Sequence, residues 1–107
     1  MNALPPLITR HLDEVRALCE KYRVKRLTLF GSAVKGTFDE ERSDLDFAVE
    51  FHPADDPLVR GARYLDLLID LQNLFGRSVD LVGVRAVRNP YFKQVLESTE
   101  RPLYEAA

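Results

Sequence analysis

Asp44 and Asp46 stand two residues apart in the run Ser43-Asp44-Leu45-Asp46-Phe47-Ala48-Val49-Glu50-Phe51. Leu45, Phe47, Val49 and Phe51 alternate with Asp44, Asp46, Ala48 and Glu50, which is the period of a strand with one apolar face. Residues two apart in a strand point to the same side, so the two carboxylates sit together. The apolar face must enter the core, which turns the acidic face toward solvent or a cleft. Adjacent anions repel, and keeping both ionised is costly unless something neutralises them. A hard divalent cation does this, because Mg2+ prefers oxygen ligands and is held by one or two carboxylates plus phosphate oxygens. Taken alone, an Asp-x-Asp pair is also what a plain amphipathic edge strand with a solvated face presents, although Asp is disfavoured in strands.

A second group precedes it. Leu27-Thr28-Leu29-Phe30 reads as a strand that stops at Gly31-Ser32. Glycine allows a sharp turn and a close approach by a phosphate. Backbone N–H groups at a following helix start, together with the Ser32 hydroxyl, can bind an anion. Taken alone, Gly-Ser after a strand is more often just a turn.

The elements that must position these residues follow from periodicity. Leu4, Ile8, Leu12, Val15, Leu18, Cys19 and Tyr22 form one helical stripe, which predicts a helix over 4–22 begun by Pro5 and Pro6. Residues 25–30 form the first strand. Gly36 and the charges Asp39, Glu40, Glu41 and Arg42 interrupt 33–42, a turn or short helix followed by a loop. After the Asp-x-Asp strand, Asp55 or Asp56 can cap a helix over 58–75 with Pro57 in its first turn and Gly76 as its stop. Its expected apolar face includes Leu58, Leu65, Leu68, Ile69, Leu71 and Phe75. Ser78 to Val82 is a third strand. Asn89 and Pro90 open a last helix through Thr99 with Phe92, Val95 and Leu96 inward, and 101–104 is a short strand or packed tail. The short link between the first two strands permits an antiparallel pair, and the long helix before the third permits a parallel crossover. The fold class is therefore α/β (α+β), a mixed sheet of three or more strands with flanking helices.

Composition narrows the function. With 107 residues the chain has room for one domain, residues 1–107, and 46% hydrophobic content supports a core. A net charge of −2 argues against a dedicated binder of duplex nucleic acid, which shows a basic excess. The lone Cys19 excludes an intramolecular disulfide and fits the apolar stripe of the first helix as a buried thiol. No signal peptide and no apolar run near the roughly 18 residues of a membrane span is present, so the chain reads as cytoplasmic and without a membrane partner. Lys35, Arg42, Arg85 and Arg88 read as surface charge that can also touch phosphates or a partner. His11 and His52 have no metal-ligand partner at recognisable spacing.

Together, Leu-Phe-Gly31-Ser32-Ala, an internal Gly36 and Ser43-Asp44-Leu45-Asp46-Phe47 resemble the signature of the DNA polymerase β superfamily of nucleotidyltransferases, in particular its minimal members. The resemblance covers most of the chain, through Arg101-Pro102-Leu103-Tyr104-Glu105. It departs at Lys35, where small members often carry Arg before the glycine. That keeps the charge and loses the planar fork. The resemblance implies a polymerase β-like fold, with Gly31 and Ser32 positioning the β- and γ-phosphates of an NTP. Asp44 and Asp46 would hold Mg2+, with Mn2+ as an alternative. It also implies a third carboxylate on a later strand, for which Asp80 is the candidate. Asp80 would bind a second metal or draw a proton from an attacking hydroxyl. Glu50 shares the acidic face but lies about 13 Å from Asp46 along the strand. Minimal members are often paired with a small helical HEPN-domain toxin, which they neutralise as antitoxins, some by moving AMP from ATP to a tyrosine. The resemblance leaves open a binding antitoxin with a vestigial nucleotide site, and a subunit of a small-molecule nucleotidyltransferase.

Overall fold

The computed structural model describes residues 4–31, 44–54, 56–84 and 89–106, with the side chain of Val95 outside that set. The expected turn or helix over 33–42 lies outside the described residues. In chain order the elements are α1 (Pro6–Arg10), α2 (Leu12–Lys21), β1 (Val24–Phe30), β2 (Leu45–Phe51), α3 (Pro57–Phe75), β3 (Val79–Gly83), α4 (Pro90–Thr99) and β4 (Arg101–Glu105).

The strands form one mixed sheet in the order β3-β2-β1-β4. β1 runs antiparallel to β2 and to β4, while β2 and β3 are parallel and joined through α3. The tail is thus a true strand. Pro102, which cannot donate to a ladder, is tolerated because β4 is an edge.

Leu27 and Leu29 of β1 and Leu45, Phe47 and Val49 of β2 are buried on one face of the sheet. Ile8, Val15, Cys19, Leu67, Leu71 and Phe75 close over them in the same cluster. α2 packs on β1 and β4, and α3 on β3. Cys19 is fully buried, and burial, helped by the charge of Glu20, pushes its thiol up to about 12. It is an inert core residue.

The expected single helix over 4–22 is broken at His11. The His11 N–H bonds Ile8 O at 3.1 Å and closes α1, while its carbonyl accepts from Val15 N at 2.9 Å and opens α2. The apolar stripe continues across the break, so periodicity could not show it. The cap at Asp56 accepts from Leu58 N at 2.8 Å, and Gly76 ends α3 with φ 64°.

The expected apolar face of α3 needs correction. Leu67, Leu71 and Phe75 are buried, with Tyr64, Leu68 and Leu74 partly so, whereas Leu58, Leu65 and Ile69 are exposed. The helix bears two apolar stripes, and the sheet takes only one.

The second face of the sheet is not simply solvated. Ala48 and Thr28, paired across β1 and β2, are each 1% exposed. α4 roofs them: Leu96 is buried, and the ring of Phe92 meets Phe30 edge-on at 6.0 Å. Asn89 caps α4 by accepting from Tyr91 N and Phe92 N. Just beyond the helix, Glu100 accepts from Thr28 Oγ1 at 3.0 Å and from Arg26 Nη1 at 2.8 Å, which pins the roof to β1. Phe92 itself remains 38% exposed, so it is a rim residue rather than the core residue its spacing suggested. Among the described residues no helix is long and apolar enough to cross a membrane.

Candidate active site

The acidic residues gather at one end of the sheet, near the start of α4. Asp46 lies in β2 directly opposite Asp80 in the parallel ladder with β3. Residues in register on adjacent strands share a face, so the two carboxylates are neighbours across the ladder. The main-chain bond from Leu45 N to Ser78 O, 3.2 Å, fixes that register at its start. Asp44 is exposed just before β2 and on the same side by alternation.

The proximity has an electrostatic consequence. The Asp46 carboxyl is pushed up to about 6, first by burial, then by its hydrogen bond to Asp80 and the charges of Asp80 and Asp44. Either a proton or a cation would relieve this crowding of carboxylates. Among the described residues no three His, Cys, Asp or Glu side chains converge to hold a metal ion, so there is no closed cage. A protein cage is not what Mg2+ requires, since one or two carboxylates plus substrate phosphate oxygens suffice. The Asp46–Asp80 pair, with Asp44 beside it, fits such an ion. Glu50 stands opposite Arg26 at the far end of the same face, two strand positions beyond buried Ala48.

Gly31 ends β1 beside this pair. Its φ is 76°, a left-handed conformation that L side chains rarely adopt. A methyl at this position would lie 2.3 Å from Asp46 Oδ2. Glycine was expected here for a turn and for phosphate approach. The structure adds that its bare Cα makes room for the Asp46 carboxylate. Ser32, Lys35, Arg42, Arg85 and Arg88 lie outside the described residues.

Phe30, Asp46, Leu68, Asp80 and Phe92 line a cavity of about 390 Å3, in which the two carboxylates face a mostly apolar wall. The place of Phe30 and Phe92 in it was not legible from sequence, because it depends on where α4 crosses the sheet. A cavity of about 460 Å3 lies at the opposite end of β2, among Glu50, His52, Arg60 and apolar neighbours. It is larger but lacks paired carboxylates, so the smaller cavity is the one suited to metal-assisted chemistry.

Residues 14–102 match the family described as nucleotidyltransferase domain. Over 82 residues the chain is 39% identical to a Methanocaldococcus jannaschii protein named "Putative protein adenylyltransferase", covering 77% of this chain and 79% of that one. It is 30% identical over 96 residues to the protein adenylyltransferase MntA of Thermococcus cleftensis, covering 90% and 89%. The fold is shared with a chain in the structure of a tri-AMPylated Shewanella oneidensis HEPN toxin in complex with MNT antitoxin. That match has a TM-score of 0.59 and 21% identity, and covers 92% of this chain and 72% of that one.

Proposed function

Because the chain belongs to the nucleotidyltransferase domain family, with a polymerase β-like fold, we propose that it moves AMP from ATP to a hydroxyl, most readily a tyrosine, of a HEPN-type partner, thereby acting as its antitoxin. The observation that carries the reading is the in-register pair Asp46 and Asp80 with Asp44 beside it. The relatives' names, protein adenylyltransferase, supply the AMP and the protein acceptor.

In this reading Asp44 and Asp46 hold a divalent cation, Mg2+ or Mn2+. When bound, it offsets the phosphate charge and stabilises the attacking and leaving oxygens. Gly31 at the end of β1, with Ser32 next in sequence, would position the β- and γ-phosphates. The acceptor oxygen attacks the α-phosphorus in line, a new P–O bond forms, and the bond to the β-phosphate bridge breaks to release pyrophosphate. Asp80, exposed on the edge strand, takes the hydroxyl proton. Phe30 and Phe92 wall the reacting groups on the apolar side and limit water.

The test is to incubate the purified chain with the helical protein encoded beside it, Mg2+ and each NTP in turn, and read intact masses. A gain of one or more AMP units, lost with Asp46→Asn, supports the reading. A stable complex left unmodified by every NTP would replace it with a binding antitoxin whose nucleotide site is idle.

A further inference from the structure

Two phenylalanine pairs among the described residues differ in their setting. Phe47 and Phe75 stack at 25° inside the core, at 0% and 7% exposed. Phe30 and Phe92 meet at 84°, and both keep exposed surface in the cavity that holds Asp46 and Asp80. A perpendicular pair leaves free the flat ring surface that a stacked pair covers. Leu96, one helical turn beyond Phe92, is buried and anchors α4 to the sheet. Phe92 instead lines the cavity. Single exposed apolar residues need no explanation, but here two rings share one small cavity with a pair of carboxylates.

Which reactant meets these rings follows from the order of the strands, given the transfer reaction proposed above, on which the inference rests. In-line attack puts the acceptor oxygen and the leaving pyrophosphate on opposite sides of the α-phosphorus. The sheet spreads the residues in the same sense: Asp80 on β3, Asp46 on β2, and Gly31 ending β1. The acceptor hydroxyl therefore comes in over β3, an edge strand, and the pyrophosphate departs toward the end of β1. The nucleoside, the remaining substituent of the α-phosphoryl group, must leave that line sideways. Phe30 pairs with Asp46 across the ladder, and Phe92 at the start of α4 meets Phe30 at 6.0 Å. The rings thus stand beside the α-phosphoryl position, within the span of a ribose.

We infer that Phe92, backed by Phe30, is the platform on which the nucleobase of the bound NTP stacks. The carboxylates and their cation hold the phosphates, and the aromatic wall holds the base. Stacking uses the flat face of a base and no hydrogen bond, so it suits a wall made of rings. Phe92 is then a positioning residue: it fixes the nucleoside, and through it the angle at which the α-phosphorus faces Asp80.

Calorimetric titration of the full chain with ATP and with inorganic tripolyphosphate, both in Mg2+, tests it. Tripolyphosphate offers the phosphates without the base. Phe92→Leu keeps an apolar side chain and removes the ring, while Phe92→Tyr keeps the ring. The expected result is that Phe92→Leu weakens ATP about tenfold and tripolyphosphate by no more than about twofold, and that Phe92→Tyr binds ATP like the wild type. A second readout needs no transfer. With α,β-methylene-ATP, whose AMP cannot be moved, the adenine protons should show nuclear Overhauser contacts to aromatic ring protons, and these should vanish in Phe92→Leu. Equal losses for ATP and tripolyphosphate would overturn the inference, since Phe92 would then only shape the carboxylate site. ATP binding indifferent to Phe92→Leu would overturn it and leave the rings to the acceptor. A wild type that binds neither probe would remove the transfer reading along with the platform, whereas one that binds both without ring contacts would remove the platform alone.

Discussion

Gly31 and Asp46 share one small volume: the carboxylate of Asp46 stands where a side chain at position 31 would begin. Gly31→Ala therefore suffers twice, from the left-handed backbone and from displacement of Asp46. The backbone part alone costs about 1–2 kcal/mol. The expected outcome is a lowered melting temperature together with loss of nucleotide transfer. Gly76→Ala, at a left-handed position with open space around it, should lower the melting temperature alone.

Asp46→Asn and Asp44→Asn should each reduce transfer by at least about 100-fold while the chain still folds. Asp44 is exposed, and Asp46 lies off the core face. Transfer assays run beside circular dichroism would check both halves, and full activity in either variant would remove the carboxylate assignment.

The Asp46 carboxyl also predicts a pH signature with a definite sign. In the folded chain it releases its proton near pH 6, against an ordinary value of 3.8. Between these values the folded state binds more protons, so stability is highest at the acid end and falls as pH rises through the window. With solvent screening of this half-exposed group, the change is of order 1 kcal/mol. Thermal melts from pH 4 to pH 7.5 should show the wild type losing stability relative to Asp46→Asn, with the gap levelling above about pH 6. Parallel curves would mean that Asp46 is not strained by its neighbours.

ATP should bind tightly only with a divalent cation, because the acidic face repels a bare triphosphate. Calorimetric titrations with Mg2+, with Mn2+ and with chelator check this. Equal affinity in chelator would count against the metal-bridged mode.

Glu100 ties Arg26 and buried Thr28 to the end of α4. Glu100→Ala should cost about 1–3 kcal/mol by leaving buried Thr28 Oγ1 without its acceptor, while Arg26 keeps only Glu105. It should also raise the KM for ATP more than it alters metal binding, since it loosens the roof that carries Phe92. Denaturant melts with paired kinetics would separate the two effects.

Local patterns were legible wherever one rule decided them. The alternation of β2, the caps at Asp56 and Asn89 and the stop at Gly76 all came from neighbouring residues. Relations that depend on distant segments did not. That Asp80 stands opposite Asp46 rests on the parallel register after a 19-residue helix, which strand period alone does not set. On α3 the periodicity was real but ambiguous: Leu58, Leu65 and Ile69 obey helical spacing as well as Leu67 and Leu71 do. Only the position of the sheet decides which stripe is covered. The close approach of Gly31 to Asp46 is likewise a meeting of two strands, invisible in either one.

The register of β3 has an implication for how this chain can vary. Side chains along a strand change face with every residue, so a slip of one position would bring Val79 or Leu81 opposite Asp46 and turn Asp80 into the core. The segment Gly76-Arg77-Ser78 therefore acts as a ruler. Substitutions within it can be tolerated, but an insertion or deletion of a single residue should inactivate the protein as surely as removing a carboxylate. Here the count of residues between two elements is itself a functional quantity.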